Sequence, residues 1–586
     1  MERGAEDRGQ GVKGSRGQKA EGRRQGSGNP KFSILNSQFS IVLSVLSGIL
    51  LILIQPPISL FPLAYVSLIP LIHSLKGNNV RHNFLMGFIA GVVSHIGHIY
   101  WVVIAMNRYG GIDIYTSILI MLLLVLYISL YVGCFTASSS YLESKLSIPL
   151  FLSAPFIWVL LEYIRGIFLT GFPWSFLAHS QHNFLTLIQV VSITGTYFLS
   201  FLIVAINFIL YHLFLMLYQR KTKGPGVQGF KGSSETSTGK KLQLPGPSTP
   251  RPLDPSTPVS LDPSTPWPLG PSFFVYAIII LAFFIASCIY GYNRLQATET
   301  GRLKAVIIQG NIRQDVKWGE AFKVRTIKTY LQKSGEAGRN ADIVIWPETA
   351  MPFVFDDEIH INRFIKEAPI ALQTNLLFGT VSKDKSGRYR NSAYVYGNDG
   401  MLAGSYSKVH LVPFGEYTPL ISYFPFLLKL TAAGGDFAPG ESHKPIETPL
   451  GKIGILICYE GAFPSITVET VRKGAQVLVN LTNDAWYDRS SAPYQHLAFY
   501  VFRAIEADRY VLRAANTGIS TIIDPRGRIK EQTDLFVEST FTGMFSLKTE
   551  KTPYVNYGDY FILLSFLCLL ALCILKMLKL QRPKGL

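Results

Sequence analysis

Long apolar runs with few polar interruptions dominate the first part of the chain and return near its end. An α-helix needs roughly 20 consecutive apolar residues to cross the hydrocarbon core of a bilayer, and most of these runs have that length. Their pattern therefore predicts a membrane α-helical bundle of about eight spans. The predicted spans cover 36–54, 61–75 (a short one), 84–105, 115–136, 148–167, 190–217, 273–293 and 559–579.

An even number of spans places both chain ends on the same side of the membrane. Most lysines and arginines beside the spans also fall on that side, namely Lys31, Lys76, Arg81, Arg220, Lys221, Lys223, Lys576, Lys579, Arg582 and Lys584. Short cytoplasmic loops carry an excess of Lys and Arg, so this side is predicted to be cytoplasmic. A cleaved signal peptide would need a small-residue cleavage site after the first run, where Gln55-Pro56-Pro57 stands instead.

Residues 300–552, between the last two spans, show a different pattern. Helix-like segments at 319–333 and 493–509 separate short apolar runs typical of strands, and Asp524-Pro525-Arg526-Gly527 predicts a hairpin turn. This alternation predicts a layered α/β domain on the extracytoplasmic side. Its predicted strands are Ala305–Gln309, Ile343–Trp346, Leu376–Thr380, Lys452–Cys458, Val477–Leu481 and Thr521–Ile523.

Two segments cannot bury a core and are predicted to be disordered. Residues 1–35 form a basic tail, and 219–272 form a cytoplasmic linker in which Pro-Ser-Thr-Pro occurs three times. The predicted organisation is then spans one to six at 36–218, span seven and its exit at 273–299, the α/β domain at 300–552, and span eight with a cytoplasmic tail at 553–586.

Composition agrees with a membrane protein. The mean hydropathy is +0.25 and only 16% of residues are charged, against about 25% in soluble domains. The net charge of +17 could indicate nucleic-acid binding, but its excess lies in tails and short loops beside the spans, so membrane topology explains it better. Of five cysteines, only Cys458 lies outside the predicted spans, which excludes a disulfide framework in the α/β domain.

Four polar residues stand out within the predicted spans. His95 and His98 are three residues apart, a spacing that suits either a metal or polar contacts inside the bundle, and neighbouring Ser94 and Tyr100 favour the contacts. Glu162 and Arg165 are also three apart and are predicted to pair with each other near the outer interface.

Candidate chemistry centres on Cys458, at the end of the isoleucine-rich run Lys452–Glu460. A thiol where the chain leaves a core strand can act as a nucleophile, although a buried structural cysteine would fit the same pattern. Glu348 follows another strand-like run, and Lys408 and Glu416 lie in the segment 406–416. A carboxylate can take the proton of a thiol and an ammonium can stabilise an oxyanion, but Glu348 and Lys408 could also form an ordinary salt bridge.

These segments carry a family resemblance. Trp346-Pro347-Glu348, Lys408 within Tyr-Ser-Lys-Val-His-Leu-Val-Pro-Phe-Gly-Glu, and Cys458-Tyr459-Glu460 resemble the Glu-Lys-Cys triad of the nitrilase superfamily. More narrowly, the chain over 36–218 and 273–580 resembles the apolipoprotein N-acyltransferase family, the membrane branch of that superfamily. The matching segments outside the triad are 161–166, 171–174, 483–486, 495–497 and 513–518.

The resemblance implies a nitrilase-like αββα sandwich in a bacterial inner-membrane protein, with the catalytic domain on the periplasmic side. It makes Cys458 the acyl-accepting nucleophile, Glu348 the general base and Lys408 the oxyanion stabiliser. It gives supporting or substrate-binding roles to Glu416, Tyr459 and Glu460. It further implies a phospholipid acyl donor, a diacylglyceryl-modified apolipoprotein acceptor, and neither metal nor cofactor.

The apolar stretch 421–430 is hypothesised to be a mobile lid over the site, with a buried core helix as the alternative. Two other functions stay open at this point. One is a membrane-anchored amidase that uses the same triad with water as acceptor, and the other is a transporter or similar protein with an inert domain. Few charged residues fall at mid-bilayer, which argues against a transporter.

Overall fold

The computed structural model of the protein describes residues 30–75, 79–222, 271–314, 317, 319–418 and 437–581. The basic tail up to residue 29, the linker over 223–270 and the hypothesised lid at 421–430 lie outside the described residues. The described chain forms a layer of apolar helices and an α/β domain of two sheets.

Apolar helices form the part of the chain predicted to span the membrane. Their bounds are α1 (Pro30–Leu53), α2 (Ile69–Ser74), α3 (Val80–Ile99), α4 (Trp101–Ile104), α5 (Ile114–Leu146), α6 (Leu150–Ile167), α7 (Leu185–Ile188), α8 (Val191–Thr194), α9 (Tyr197–Thr222), α10 (Pro271–Leu295) and, after the α/β domain, α16 (Tyr560–Gln581). The predicted helical bundle is therefore confirmed.

Fewer than the predicted eight spans are identified among the described residues. Within the described residues, five helices are long and apolar enough to cross a membrane, and α3 with the helix that follows it, bent by 44°, would make a sixth. The first two predicted spans are shorter apolar helices, Gln38–Leu53 and Phe61–Ser74. Pro62 and Pro70 each lack a backbone donor, so the second predicted span forms a 3₁₀ turn at Phe61–Tyr65 and then α2 in place of one continuous helix.

Two sheets make up the α/β domain. The first contains β1 (Leu303–Gln309), β2 (Ile343–Ile345), β3 (Met351–Val354), β4 (Asn375–Lys383), β5 (Tyr389–Tyr396), β6 (Leu402–Ser407) and β13 (Ser539–Phe545), in the order β13-β1-β2-β4-β5-β6 with β3 beside β4. The second contains β7 (Ile446–Thr448), β8 (Gly451–Ile457), β9 (Val477–Thr482), β10 (Val511–Ala515), β11 (Thr521–Ile523) and β12 (Ile529–Gln532), in the order β12-β11-β10-β9-β8-β7. The helices are α11 (Glu320–Ala337), α12 (Ile359–Leu372), α13 (Pro464–Arg472), α14 (Ala492–Ala507) and α15 (Pro553–Tyr557).

Strand periodicity explains why the two sheets stack. Ala305 and Ile307 of β1 join the core shared with the second sheet, whereas Val306 and Ile308 pack on the opposite face with Tyr330 of α11. A strand buried on both faces reads as a continuous apolar run. The predicted αββα sandwich is confirmed, and all six predicted strands are present.

The predicted hairpin turn is also present. It joins β11 to β12, the Asp524 amide bonds to the Arg528 carbonyl at 2.9 Å, and Gly527 takes the left-handed conformation that this turn needs. The pattern missed β3, β5, β6, β7, β10, β12 and β13, because these strands are short or alternate with polar residues.

The helical layer packs directly under the α/β domain. Trp174 donates its indole N–H to Gln495 at 2.6 Å, and the Gln495 amide donates back to the Pro56 carbonyl at 3.4 Å. The Trp174 ring lies 4.7 Å from Trp101 and 4.9 Å from Phe499 between ring centroids. An aromatic and hydrogen-bonded floor thus joins the helices to the end of the sandwich.

The polar residues of the helical layer differ from prediction in one respect. His95 and His98 make contacts inside the bundle, with Ser129 and the Leu51 carbonyl, as the sequence favoured. Glu162 and Arg165, in contrast, form no ion pair within 4.0 Å of each other in the described structure. The predicted direct pairing is therefore wrong: Glu162 accepts from the Leu177 amide and Arg165 donates to His95 instead.

Candidate active site

Cys458 is the first residue after β8 and begins a tight turn, Cys458–Ala462. Its φ of +50° is unusual for a residue with a side chain, and such strain persists only where surrounding contacts hold it. The thiol is 7% exposed. Burial raises the pKa of this thiol above its usual value, Glu348 adds to the effect, and Lys408 opposes it. Cys458 therefore rests as a protonated thiol that needs a base.

The Cys458 backbone is held from below by α14. Its carbonyl accepts hydrogen bonds from His496 Nε2 at 3.1 Å and from the Tyr500 hydroxyl at 2.9 Å. Burial and the nearby Arg513 lower the pKa of His496, while Asp484 and the Cys458 carbonyl act in the opposite direction. Arg513 also binds Asp484 at 2.7 Å, and Asp484 contacts His496 at 3.0 Å. The motifs at 483–486, 495–497 and 513–518 thus meet beneath the candidate nucleophile.

Glu460 joins the Cys458 turn to the segment that carries Lys408. One carboxylate oxygen accepts from the Tyr406 hydroxyl at 2.8 Å and from the amides of Val409 and His410 at 2.8 and 3.1 Å. The other oxygen accepts from the Ile457 amide at 2.7 Å. All four partners donate, so Glu460 acts as a support and its side chain has no free face toward a substrate.

Glu348 lies just beyond the carboxyl end of β2 and is 7% exposed. The Asn391 amide nitrogen donates to it at 2.7 Å and also reaches Glu416 at 3.0 Å. Burial raises the pKa of the Glu348 carboxyl, and the charge of Lys408 only partly offsets this. A carboxylate with a raised pKa is a stronger base, which suits it to accept a proton from a thiol.

Lys408 follows β6 and is 1% exposed. Its ammonium lies 2.8 Å from Glu416, whose same oxygen accepts from the Val412 amide at 2.8 Å. Burial alone would lower the pKa of Lys408, but Glu416, Cys458 and Glu348 together raise it above its usual value. Lys408 is therefore a fixed cation that acts electrostatically on both the thiol and the Glu348 carboxylate.

Five of the six residues singled out in the sequence meet here, and Tyr459 points elsewhere. Its ring lies 5.0 Å from Phe463 and 6.1 Å from Trp174 between centroids, toward the helical layer. Among the described residues, its hydroxyl has no hydrogen-bond partner. Tyr459 thus forms part of the floor rather than of the polar cluster.

Lys317 was missed by sequence reasoning. It is 1% exposed and donates to the Thr349 hydroxyl at 2.6 Å and to the Glu348 carbonyl at 3.3 Å. Burial lowers the pKa of Lys317, against the attraction of Glu348. The residue lies in an irregular stretch between β1 and α11, where neither periodicity nor a motif marked it.

Both the helical part and the α/β domain of the chain match known protein families. Residues 47–209 match the family model of the apolipoprotein N-acyltransferase N-terminal domain, and residues 304–552 match that of carbon-nitrogen hydrolase. Among solved structures, carbon-nitrogen hydrolase from Helicobacter pylori aligns with a TM-score of 0.33 and 17% identity over 41% of this chain and 88% of that one. Saccharomyces cerevisiae Nit3 aligns with a TM-score of 0.33 and 19% identity over 42% and 91%.

Sequence similarity to relatives extends over nearly the whole chain. Apolipoprotein N-acyltransferase of Geobacter metallireducens is 36% identical over 529 residues, which cover 89% of this chain and 92% of that protein. The protein of the same name from Haemophilus influenzae is 27% identical over 548 residues, with 91% and 95% coverage. This similarity includes the helical layer as well as the sandwich, and the chain belongs to the apolipoprotein N-acyltransferase family.

Proposed function

We propose that this acyltransferase moves an acyl chain from a phospholipid to Cys458 as a thioester, and from there to an apolipoprotein. The acceptor is the α-amine of an S-diacylglyceryl cysteine at the apolipoprotein's N-terminus. The observation that carries the proposal is the buried cluster in which Glu348 and the Lys408–Glu416 pair act on the Cys458 thiol. Family membership supports the substrate class.

In the first half-reaction, Glu348 takes the thiol proton and Cys458 Sγ attacks the ester carbonyl carbon of the phospholipid. Lys408 stabilises the oxyanion that forms, because a fixed cation in a buried site costs no reorganisation as charge develops. The C–O bond to glycerol then breaks. Protonated Glu348 returns its proton to the leaving oxygen, and a lysophospholipid departs.

In the second half-reaction, the neutral α-amine attacks the thioester carbonyl and gives a proton to Glu348. The C–S bond breaks, an amide remains on the apolipoprotein, and the departing sulfur recovers the proton. Hydrolysis of the thioester would compete with this step, and the burial of Cys458 and Lys408 limits access of water.

The site's position supports lipid substrates. Trp174 and Tyr459 join the nucleophile's turn to apolar helices with many large exposed hydrophobic side chains, as expected for surfaces in contact with acyl chains. The distribution of basic residues favours a bacterial inner-membrane location with the α/β domain on the periplasmic side and 219–272 in the cytoplasm. The division of the chain into the six segments predicted from the sequence is part of this proposal.

The test is a transfer assay with the full-length protein in phospholipid vesicles that carry a labelled acyl chain. We expect amide-linked label on an added diacylglyceryl-cysteinyl peptide with wild-type protein and with the control Cys568→Ala, and none with Cys458→Ala. Release of labelled fatty acid regardless of the peptide would instead indicate an amidase-like hydrolase. Equal transfer by Cys458→Ala would contradict the thioester route.

A further inference from the structure

A cavity of about 50 Å³ lies in the helical layer, at the end next to the α/β domain. Helices α3, α5 and α6 surround it, together with the end of the α1 segment and the loop that follows Trp174. Most of its wall is apolar. Its polar wall includes Gln55, His95, His98, Glu162, Arg165 and Ser175.

The two charged residues on this wall are both buried and do not touch each other. Glu162 and Arg165 are each 5% exposed. Glu162 accepts from the Leu177 amide at 2.7 Å, and Arg165 donates to His95 Nε2 at 3.2 Å. Charges taken out of water are costly unless further hydrogen bonds satisfy them. Glu162 also interacts with Ser200 and Trp158, and the Arg165 guanidinium lies 5.0 Å from the centre of the Phe176 ring. Within the described chain, Glu162 Oε2 and Arg165 Nε nevertheless have no hydrogen-bond partner.

The directions of the hydrogen bonds on the cavity wall show which of its polar atoms are donors and which are acceptors without a partner. His98 Nε2 faces the Leu51 carbonyl at 3.0 Å and must donate, so Nδ1 of the neutral ring is an acceptor. The Gln55 amide nitrogen donates to the Phe176 carbonyl at 3.0 Å, which fixes Gln55 Oε1 as the other acceptor. Within the described chain, neither acceptor has a partner, and neither does the donor Arg165 Nε or the Ser175 hydroxyl.

A molecule that fills the cavity must both donate to the two acceptors and accept from the donor. An anion could accept from Arg165 but could not donate to Gln55 or His98, and an ammonium could not accept from Arg165. An apolar group would leave all four atoms unsatisfied, at the desolvation cost of each. Water both donates and accepts. At about 10–15 Å³ for each molecule, the cavity has room for about three to five water molecules.

We propose that this cavity is a water site, in which about three to five ordered molecules join Glu162 to Arg165 and satisfy Gln55, His98 and Ser175. The ion pair predicted from the sequence is then mediated by water rather than direct. The site also lies next to the aromatic floor, because Ser175 on its wall directly follows Trp174. The inference does not depend on the proposed reaction.

Hydroxyl-radical footprinting of the full-length protein in nanodiscs tests the proposal, because radiolysis of bound water oxidises the side chains beside it. Phe135 lines the cavity and is 3% exposed, and Phe208 of α9, which does not line it and is 0% exposed, is the control. We expect oxidation of Phe135 and none of Phe208. Equal protection of the two phenylalanines would overturn the proposal.

A filling variant gives a second readout. Val132 lines the cavity, and Val132→Leu adds a methylene to its apolar wall. If water is displaced from the buried charges, Tm falls by a few degrees and oxidation of Phe135 decreases. Filling a dry cavity commonly stabilises a protein, so a rise in Tm with unchanged footprinting would contradict the water site.

Discussion

At the scale of single residues, the site depends on charges placed in a buried environment. Glu348 and Cys458 both have raised pKa values because burial disfavours their charged forms, while Glu416 and Glu348 keep Lys408 protonated. The thiol is therefore activated by proton transfer during the reaction and is not held as a thiolate beforehand.

Replacing Glu348 removes the proposed base with little change in shape. Glu348→Gln keeps an oxygen that can accept from Asn391, so we expect an unchanged fold and a loss of about 10²–10⁴-fold in kcat/KM. Acyl transfer measured at several pH values checks this. The exposed carboxylate variant Glu447→Gln should be fully active, and an active Glu348→Gln would disprove the assignment of the base.

Lys317 should set the acidic limit of activity. Glu348 works only when deprotonated, so activity falls as the pH drops through its raised pKa. Lys317→Met removes a neighbouring cation, which raises the pKa of Glu348 further and moves the acidic limb of the kcat/KM profile to higher pH. Lys317→Arg should keep the limb near its wild-type position. A limb that stays in place in Lys317→Met would show that Lys317 is only structural.

The sequence could predict most of the site residues but not the contacts that they make. Cys458, Glu348 and Lys408 could be found because each follows an apolar run that ends a strand. Lys317 has no such run before it. The separation of Glu162 from Arg165 depends on how Leu177 and His95 pack against α6, which helical spacing does not specify.

At the scale of secondary-structure elements, the site forms where strand ends from both sheets meet. Strands β8, β9 and β10 are parallel, so their carboxyl ends bring Cys458, Asp484 and Asn516 to one edge. The six strands predicted from apolar runs include β8 and β9. The pattern could not predict the order of strands within a sheet, because that order depends on pairing between distant segments.

Glu460 hydrogen-bonds both to the start of the Cys458 turn and to the segment that carries Lys408. A substitution at Glu460 should therefore disturb both. In Glu460→Gln the amide nitrogen would face backbone and hydroxyl donors, so one buried donor loses its acceptor, at a cost of about 1–3 kcal/mol. We expect a lower Tm and loss of acyl transfer, because both the Cys458 turn and the Lys408 segment shift. Glu469→Gln, on α13 and half-exposed, is the control. Retained Tm and activity in Glu460→Gln would refute this role.

At the scale of the whole molecule, the helical layer serves as the floor of the active site as well as an anchor. Trp174 and Gln495 connect the halves near the nucleophile, and Arg294 of α10 binds Asp508 at 2.6 Å further away. Composition and apolar runs predicted two kinds of domain. They predicted eight spans, against five or six among the described residues. Hydropathy does not register that Pro62 and Pro70 divide the second predicted span into two short helices.

Trp174 should be the residue on which this docking depends most. It is buried among Trp101, Phe499 and Tyr459, so Trp174→Ala should lower the free energy of unfolding by about 3–5 kcal/mol. Trp174→Phe keeps most of the ring contacts, loses the bond to Gln495, and should lose less. Thermal unfolding in detergent measures both. Equal stability of the two variants would show that the aromatic floor is not what holds the halves together.

The central claim is that Cys458 carries the acyl chain, and peptide-mapping mass spectrometry tests it most directly. The full-length protein is incubated with phospholipid of one defined acyl chain and no acceptor. The account predicts a single acyl adduct on the Cys458 peptide, sensitive to hydroxylamine and removed when diacylglyceryl-cysteinyl peptide is added. An adduct on another residue that persists in Cys458→Ala, or transfer to the peptide by that variant, would contradict the account.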